Sequence, residues 1–372
     1  MKEIGIYRKA FPRTSEAFIQ EQTSQLVNYN PTFVSCTILN QTPFQTVSVN
    51  ENDFLGVKQA SYLLTRSANL FTNFDTLKKL ALIHAHFGTD GVYAMELAEK
   101  LKIPLLVTFH GFDITIARSK MWRLRNLSYY QLLLHEAKLK QKAKAFIAVS
   151  GFIRQKLLEN GYPEEKVIQH YIGVDTEKFF PAAKADERYI LCVGRHTPKK
   201  GIDTLLRGWA RIVKKYPDVS LIQVGTGSMS AEIQALATQL GINERVRFLG
   251  AQPYQVVQQL MSGAEVFALT SQTAPDGDSE GLPFVILEAS ACGVPIASTW
   301  HSGIPEAVLD GETGFLVSEK DDVALAEKLD ILLGDRALSE KMGQKGRELV
   351  CEVFDIRKQT AKLEAIYDSL IH

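Results

Sequence analysis

"DGDSEGLPFVILEASACGVPIAST", residues 276–299, decides how this chain is read. Pro283 is a natural first helical residue, because its missing N–H would be orphaned there anyway and its φ already suits a helix. The apolar run that follows is closed by Gly293, and "VPIAST" then reads as a short buried strand. Loop, buried helix and buried strand in that order belong to a parallel α/β sheet covered on both faces. Two carboxylates, Glu280 and Glu288, stand eight positions apart across the junction. One precedes the helix and the other lies about a turn and a half into it.

The same alternation extends in both directions. Toward the N-terminus, "EIGIY", "FVSCTIL", "ALIHAHF", "PLLVTFH" and "AFIAVS" read as strands, and "DGVYAMELAEKLK" and "SGFIRQKLLENGY" as amphipathic helices. Ser150 is placed to cap the second of these helices and Gly161 to stop it. The pattern lapses at "GVDTEKFFPAAKADERY", which reads as a linker. It restarts with "YILCVG", "VSLIQVG", "RVRFLG", "AEVFALTS" and "VPIAST", separated by helices. The last segment is helical, with apolar residues at Ile356, Leu363, Ile366 and Leu370. The expected fold class is therefore α/β, with two Rossmann-like parallel-sheet domains facing a cleft. The expected boundaries are 1–175, 185–352, and a C-terminal helix, 353–372, that returns to the first domain.

Composition narrows the function. The 372 residues exceed one ordinary core. Lys plus Arg equals Asp plus Glu at 42 each, so no charge excess calls for nucleic acid. Cys36, Cys192, Cys292 and Cys351 form no CxxC pair, which excludes a disulfide framework and suits a reducing compartment. The N-terminus has no apolar stretch of signal-peptide length, and no apolar run approaches the ~20 residues that span a bilayer. The expected location is the cytoplasm.

In open parallel sheets, ligands bind beyond the carboxyl ends of the strands. The informative residues should therefore follow strands. In "VGRHTPKKG", residues 193–201, Arg195 and Lys200 sit just past a strand beside a helix start, which makes an anion site. A solvated basic turn is the bland alternative, and Lys199 is assigned to it. The helix after Pro283 offers a second phosphate cradle through the N–H groups near Leu282, Phe284 and Val285, with Gly281 allowing close backbone approach. A carboxylate on so apolar a helix needs a partner, and a sugar diol supplies two hydroxyl donors. Glu280 and Glu288 then hold two sugars of one nucleotide-sugar. The alternative is a helix-dipole carboxylate beside an ordinary ion pair.

These residues resemble a known family. Glu280 and Glu288 match the E-x7-E motif of the GT-B retaining glycosyltransferases of family 4. "VGRHTPKKG" resembles that family's phosphate loop, "VGTGS" a strand end, "SGIPEAVLDGETGFLV" its nucleotide-side tail, and "FHGFD" at 109–113 its "HG-x-D". "FPRTSEAFI" is similar to a subset that builds bacterial exopolysaccharides. The resemblance implies a GT-B fold. It also implies retaining transfer from a UDP- or GDP-linked sugar to a glycan or lipid-linked acceptor. In that scheme Arg195 and Lys200 neutralise the diphosphate, Glu288 binds the ribose, and Glu280 contacts the donor sugar. His110 lies under the reacting carbon and Asp113 orients it. The front-face route favoured for the family needs no protein nucleophile. Two alternatives stay open: a nucleotide-sugar epimerase of the same architecture, and a non-catalytic nucleotide-sugar-binding protein.

There are departures and competing signals. Relatives carry a glycine-rich loop after the first strand, whereas here Pro12, Thr14, Ser15 and Glu16 stand there, assigned to acceptor or donor phosphate. Asp276 and Asp278 form a literal D-x-D but lie beside two phosphate-binding cations, so no metal or other cofactor is expected. His84 and His86 are read as facing alternate sides of a strand without a third ligand. Residues 117–144 hold eight Lys or Arg, one Glu, and Trp122, Tyr129 and Tyr130. That mixture suits peripheral contact with an anionic membrane. The plain reading is that Leu127, Tyr130, Leu134 and Ala137 pack on the sheet.

Overall fold

The computed structural model describes residues 1–12, 16–50, 53, 55–182 and 187–371. It divides into two compact units, Met1–Ile172 with Ile356–His372, and Gly173–Asp355.

The first unit is built on seven strands: β1 (Lys2–Phe11), β2 (Tyr29–Ile38), β3 (Gln45–Ser48), β4 (Leu80–His86), β5 (Leu105–Phe109), β6 (Ala145–Ala148) and β7 (Val167–Gln169). Their order is β3-β2-β1-β4-β5-β6-β7, and every pair is parallel. β5 and β6 are buried at every position, as strands covered on both faces must be. Ser150 caps the following helix by accepting the Ile153 N–H at 3.2 Å. The helix Ile356–Ile371 belongs to this unit. Its Glu364 accepts the Val27 and Asn28 main-chain N–H groups at 2.7 Å each, and Tyr29 donates to Asp368 at 2.7 Å. Leu363 and Tyr367 enter the core beside Ile6, Phe33 and Leu82.

The second unit has six parallel strands: β8 (Arg188–Val193), β9 (Val219–Val224), β10 (Val246–Phe248), β11 (Val266–Leu269), β12 (Ile296–Thr299) and β13 (Gly314–Val317). Their order is β10-β9-β8-β11-β12-β13. The amphipathic helix Ile202–Ile212 lays Leu205, Leu206 and Trp209 on this sheet, all fully buried. Each unit is thus a parallel sheet with covering helices, the Rossmann-like architecture expected for both domains. β3, β7 and β13 were not read from the sequence as strands. All three are short and sit at sheet edges, where fewer neighbours demand apolar residues.

Candidate active site

In a parallel sheet all carboxyl ends lie along one edge. In the second unit β8 lies between β9 and β11, so the strand order reverses direction there, and crevices open beyond such a switch point. The loops after β8, β11, β12 and β13 leave that edge side by side. They carry Arg195 and Lys200, Glu280, His301, and Glu319 respectively.

The β8 and β11 loops are stitched together. Gln272 N–H donates to Lys199 O at 2.8 Å, Thr270 Oγ1 to Gly201 O at 2.7 Å, and Gln272 Nε2 to Pro198 O at 2.9 Å. Gly201 has φ +56°, and a Cβ there would lie 2.0 Å from Thr270 O. That contact explains the glycine that ends "KKG". His196 anchors the same loop from beneath, with Gln223 Oε1 at 2.6 Å and Ser230 Oγ at 2.8 Å. Arg195 stays exposed.

The stitching brings the cations to Glu280. Lys200 Nζ lies 2.8 Å from Glu280 Oε1 and Lys199 Nζ 4.0 Å from Oε2. Burial alone would raise the Glu280 carboxyl, but Lys200 and Lys199 overcome it and hold it at about 2. Lys199 is not the solvated turn residue expected. It is 8% exposed and pairs with Asp278 at 3.0 Å, because the β11 loop folds over it. Asp276 in turn accepts the Asp278 N–H at 3.0 Å, so one aspartate of the D-x-D is spent within its own loop and the other on Lys199. Burial lifts Asp278 above its ordinary value against the pull of Lys199.

The helix Phe284–Ala291 starts one residue later than the sequence suggests, with Pro283 as its capping residue and no side-chain cap. Gly281, Leu282 and Pro283 are buried, while Phe284 and Glu288 are half-buried. Gly293 ends the helix with φ +71°.

In the first unit the carboxyl edge carries His110, Asp113 and Glu16. Asp113, expected to orient His110, bonds the main chain of that residue. Its Oδ1 accepts from the N–H of Gly111 at 2.9 Å and of His110 at 3.2 Å, and its Oδ2 accepts from Gly88 N–H at 2.8 Å. Burial pushes the Asp113 carboxyl up to about 6 despite these bonds. The ring of His110 is set by His86, whose Nδ1 is 3.1 Å from His110 Nε2, and by Phe87 and Phe18. Burial and the Arg8 charge push His110 well below its ordinary value.

His84 and His86 do not face opposite sides. Their spacing of two in β4 puts both on one face, and their rings stack at 4.4 Å. His84 is spent on Thr108 Oγ1 at 2.6 Å and Tyr367 OH at 2.8 Å. Glu16 forks onto Arg8 at 2.7 and 2.9 Å, and Arg8 also pairs with Asp90 and lies 4.4 Å from the Phe87 ring centre. Ser15 and Thr14 lie outside the described residues.

Four participants were missed in the sequence: Lys199, His301, Glu319 and His86. Only His301 had a usable signal, as a histidine directly after a strand in "STWHSGIPE".

Comparison with known proteins places the chain in a family. The family model described as "Glycosyl transferases group 1" matches residues 174–349, and "Glycosyltransferase Family 4" matches residues 39–178. The WcaL protein of Escherichia coli, whose name provisionally assigns it to colanic acid biosynthesis as a glycosyltransferase, is 33% identical over 66% of this chain. That match spans 59% of the relative's own length, less than two thirds. Its counterpart from Salmonella typhimurium is 32% identical over 75% of this chain and 69% of its own. A solved structure of Anabaena Alr3699/HepE in complex with UDP and glucose superposes over 100% of both chains, with a TM-score of 0.78 at 20% identity. The Salmonella relative, matched over more than two thirds of its length, carries the assignment: this chain belongs to the group 1, family 4 glycosyltransferases.

Proposed function

We propose that the chain moves a sugar from a UDP- or GDP-linked donor to a glycan or lipid-linked acceptor of a surface polysaccharide, with retention of anomeric configuration and without a metal. The observation that carries the reading is the Lys200–Glu280 pair, 2.8 Å apart in a buried setting beside a helix start. A carboxylate held ionised there accepts sugar hydroxyls, and Lys200 and Arg195 attract a diphosphate. The pair keeps Glu280 charged. When a donor enters, Lys200 turns to the phosphates and Glu280 to the sugar. Glu288 is assigned to the ribose, the 281–284 backbone to phosphate, and Glu16 to a substrate phosphate reached through Arg8. His110 is assigned to placing the donor sugar, and Asp113 to shaping the loop that carries it.

Metal independence is supported by the charge already present. Lys200 and Arg195 are the charges assigned to the leaving diphosphate, and Asp278 is engaged by Lys199. The HepE complex with UDP and glucose supports a nucleotide-sugar donor. The WcaL names support a polysaccharide context.

The experiment is product analysis. Purified protein is incubated with UDP- and GDP-sugars, with and without an acceptor glycan. Release of nucleoside diphosphate only when acceptor is present supports transfer, and an α-linked product from an α-linked donor supports retention. Absence of acceptor-dependent release with every donor overturns the reading. Activity that requires Mn²⁺ overturns its metal-free form.

A membrane surface is the second element of the proposal; within the basic segment 117–144 we infer that residues 120–125 make the contact. The expected packing stripe is only partly covered: Leu127 and Tyr130 are half-buried, Leu134 is 63% exposed and Ala137 exposed, and the helix buries Ser128, Gln131, Leu132 and Leu139 instead. Most distal cations are engaged, with Arg118 on Glu136, Lys138 and Lys142 on Glu99, and Lys140 on the Asn160 carbonyl. Trp122 and Leu124 remain half exposed between Lys120, Arg123 and Arg125. Trp122 stacks on Tyr130 at 5.3 Å, and the Tyr130 OH donates to its carbonyl at 3.0 Å. A stiffened tryptophan ringed by cations fits an anionic interface. No helix among the described residues is long and apolar enough to cross a membrane. Contact is proposed as peripheral, from the cytoplasmic side.

A further inference from the structure

We propose that His301, held by Glu319, is a positioning residue for Glu280, and that the pair fixes the loop carrying the donor-sugar carboxylate. The proposal rests on the donor-sugar role given above to Glu280.

His301 is 2% exposed, in the loop after β12. Its Nε2 accepts the main-chain N–H of Glu280 at 3.2 Å and lies 3.0 Å from Ser302 Oγ. A backbone N–H can only donate. Nε2 must therefore be the ring nitrogen without a proton, and the ring's proton must sit on Nδ1. Nδ1 points at Glu319 Oε1, 2.6 Å away, the acceptor that this tautomer requires.

Glu319 is itself fixed. Its Oε2 accepts the Thr273 N–H at 3.0 Å and its Oε1 the Thr273 hydroxyl at 3.2 Å. Burial opposes its charge, but these donors and His301 hold its carboxyl below the usual range. Thr273 and Glu280 lie on the same loop after β11. The dyad thus ties that loop at two points to the ends of β12 and β13. A carboxylate that selects a histidine tautomer, and so the direction of the ring's other bond, is known chemistry in hydrolases. Here the far nitrogen receives a main-chain N–H, so the product is loop placement rather than proton transfer.

The dyad makes a specific prediction for Glu319→Gln. The Thr273 N–H cannot change its role, so the new amide oxygen takes the Oε2 place and the amide nitrogen faces His301 Nδ1. Nδ1 must then accept, the proton moves to Nε2, and two N–H groups confront each other at Glu280. The side chain is isosteric and about a third exposed, so the fold has little else to lose.

The test uses the full chain with histidine labelled by ¹⁵N. His301 signals are identified as those missing in His301→Gln. In the wild type they should report a proton on Nδ1, and in Glu319→Gln a proton on Nε2. Steady-state kinetics should show kcat lowered about tenfold in Glu319→Gln, the scale of one lost hydrogen bond, with nucleoside diphosphate affinity within about twofold. His301→Gln offers its side-chain oxygen to the Glu280 N–H and should retain more activity than His301→Ala. Adding Glu319→Gln to His301→Gln should then cost nothing further. A wild-type ring protonated on Nε2 overturns the proposal. So does an unchanged kcat in Glu319→Gln beside an impaired Glu280→Gln enzyme. An equal loss from Glu319→Gln in both backgrounds overturns it too, because Glu319 then acts through Thr273 alone. An unimpaired Glu280→Gln enzyme removes the donor-sugar role of Glu280 and the proposal with it.

Discussion

Glu280 and Glu288 are the same residue type on one motif, but their surroundings separate them. Glu280 is held at about 2 by two lysines, and Glu288 is half-buried on a helix. Glu280→Gln should mainly lower kcat, since its sugar contact lies near developing charge. Glu288→Gln should mainly weaken nucleotide binding, because a ribose contact is equal in ground and transition states. Titration calorimetry with free nucleoside diphosphate checks the second; unchanged affinity removes the ribose role. Arg195→Ala and Lys200→Ala should each cut turnover by about 10² to 10³.

The pH dependence follows from the signs. Glu280 is depressed on folding, so its stabilisation is complete above the ordinary carboxylate range and is lost as pH falls from about 4.5 toward 2. A loss of activity between pH 8 and 5 therefore has another source. Asp113 is raised to about 6, so its charge costs stability progressively as pH rises from about 4 to 6. Asp113→Asn nonetheless should not stabilise. Its amide nitrogen must face one of three main-chain N–H donors, and a loss of about 1–3 kcal/mol is expected in denaturant unfolding at pH 7. A gain in stability would mean that the buried charge outweighs the hydrogen bonds.

At the scale of the element, the β8 and β11 loops act as one piece. Gly201→Ala drives a Cβ against the Thr270 carbonyl and should cost about 1–3 kcal/mol, with a lower Tm and a raised KM for donor. A Tm within a degree of the wild type would show that the loops part freely. The 120–125 turn is tested with vesicles. Trp122→Ala and the double variant Arg123→Glu with Arg125→Glu should each reduce co-sedimentation with anionic vesicles. The reduction should be largest at low salt, since each basic residue near such a surface contributes about 1 kcal/mol. Recovery in the supernatant that is independent of lipid charge and salt would leave this turn an ordinary surface.

The whole molecule is divided so that its C-terminal helix completes the core of its N-terminal unit. Removing residues 356–372 takes Leu363 and Tyr367 from that core and leaves the Val27 and Asn28 N–H groups without Glu364. The truncated chain should lose the cooperative melting of the first unit. Nucleoside diphosphate should still raise the melting temperature of the second unit, by mass action worth about 2.7 kcal/mol at a hundred times Kd. Calorimetry separates the two transitions. A first unit that melts unchanged after truncation would make the helix dispensable.

What the sequence by itself determined is the periodic part. Alternating buried strands and helices are written in hydrophobic period, and the positions of Glu280, Lys200 and His110 after strand ends follow from chain order. Gly293 marks its turn in the same local way. Pairing across long separations is not local, and only the tertiary structure decided it. Lys199 looks solvated until the β11 loop folds over it and brings Asp278 to 3.0 Å. His301 looks like any loop residue until Glu319 reaches one side of its ring and the Glu280 N–H the other. Asp113 is legible as a residue that orients His110, but only the fold shows that its partners are main-chain donors and that Gly88, from another element, is one of them. Hydrophobic period is a property of neighbours along the chain, whereas a buried polar group is matched by whichever donor or acceptor the fold delivers.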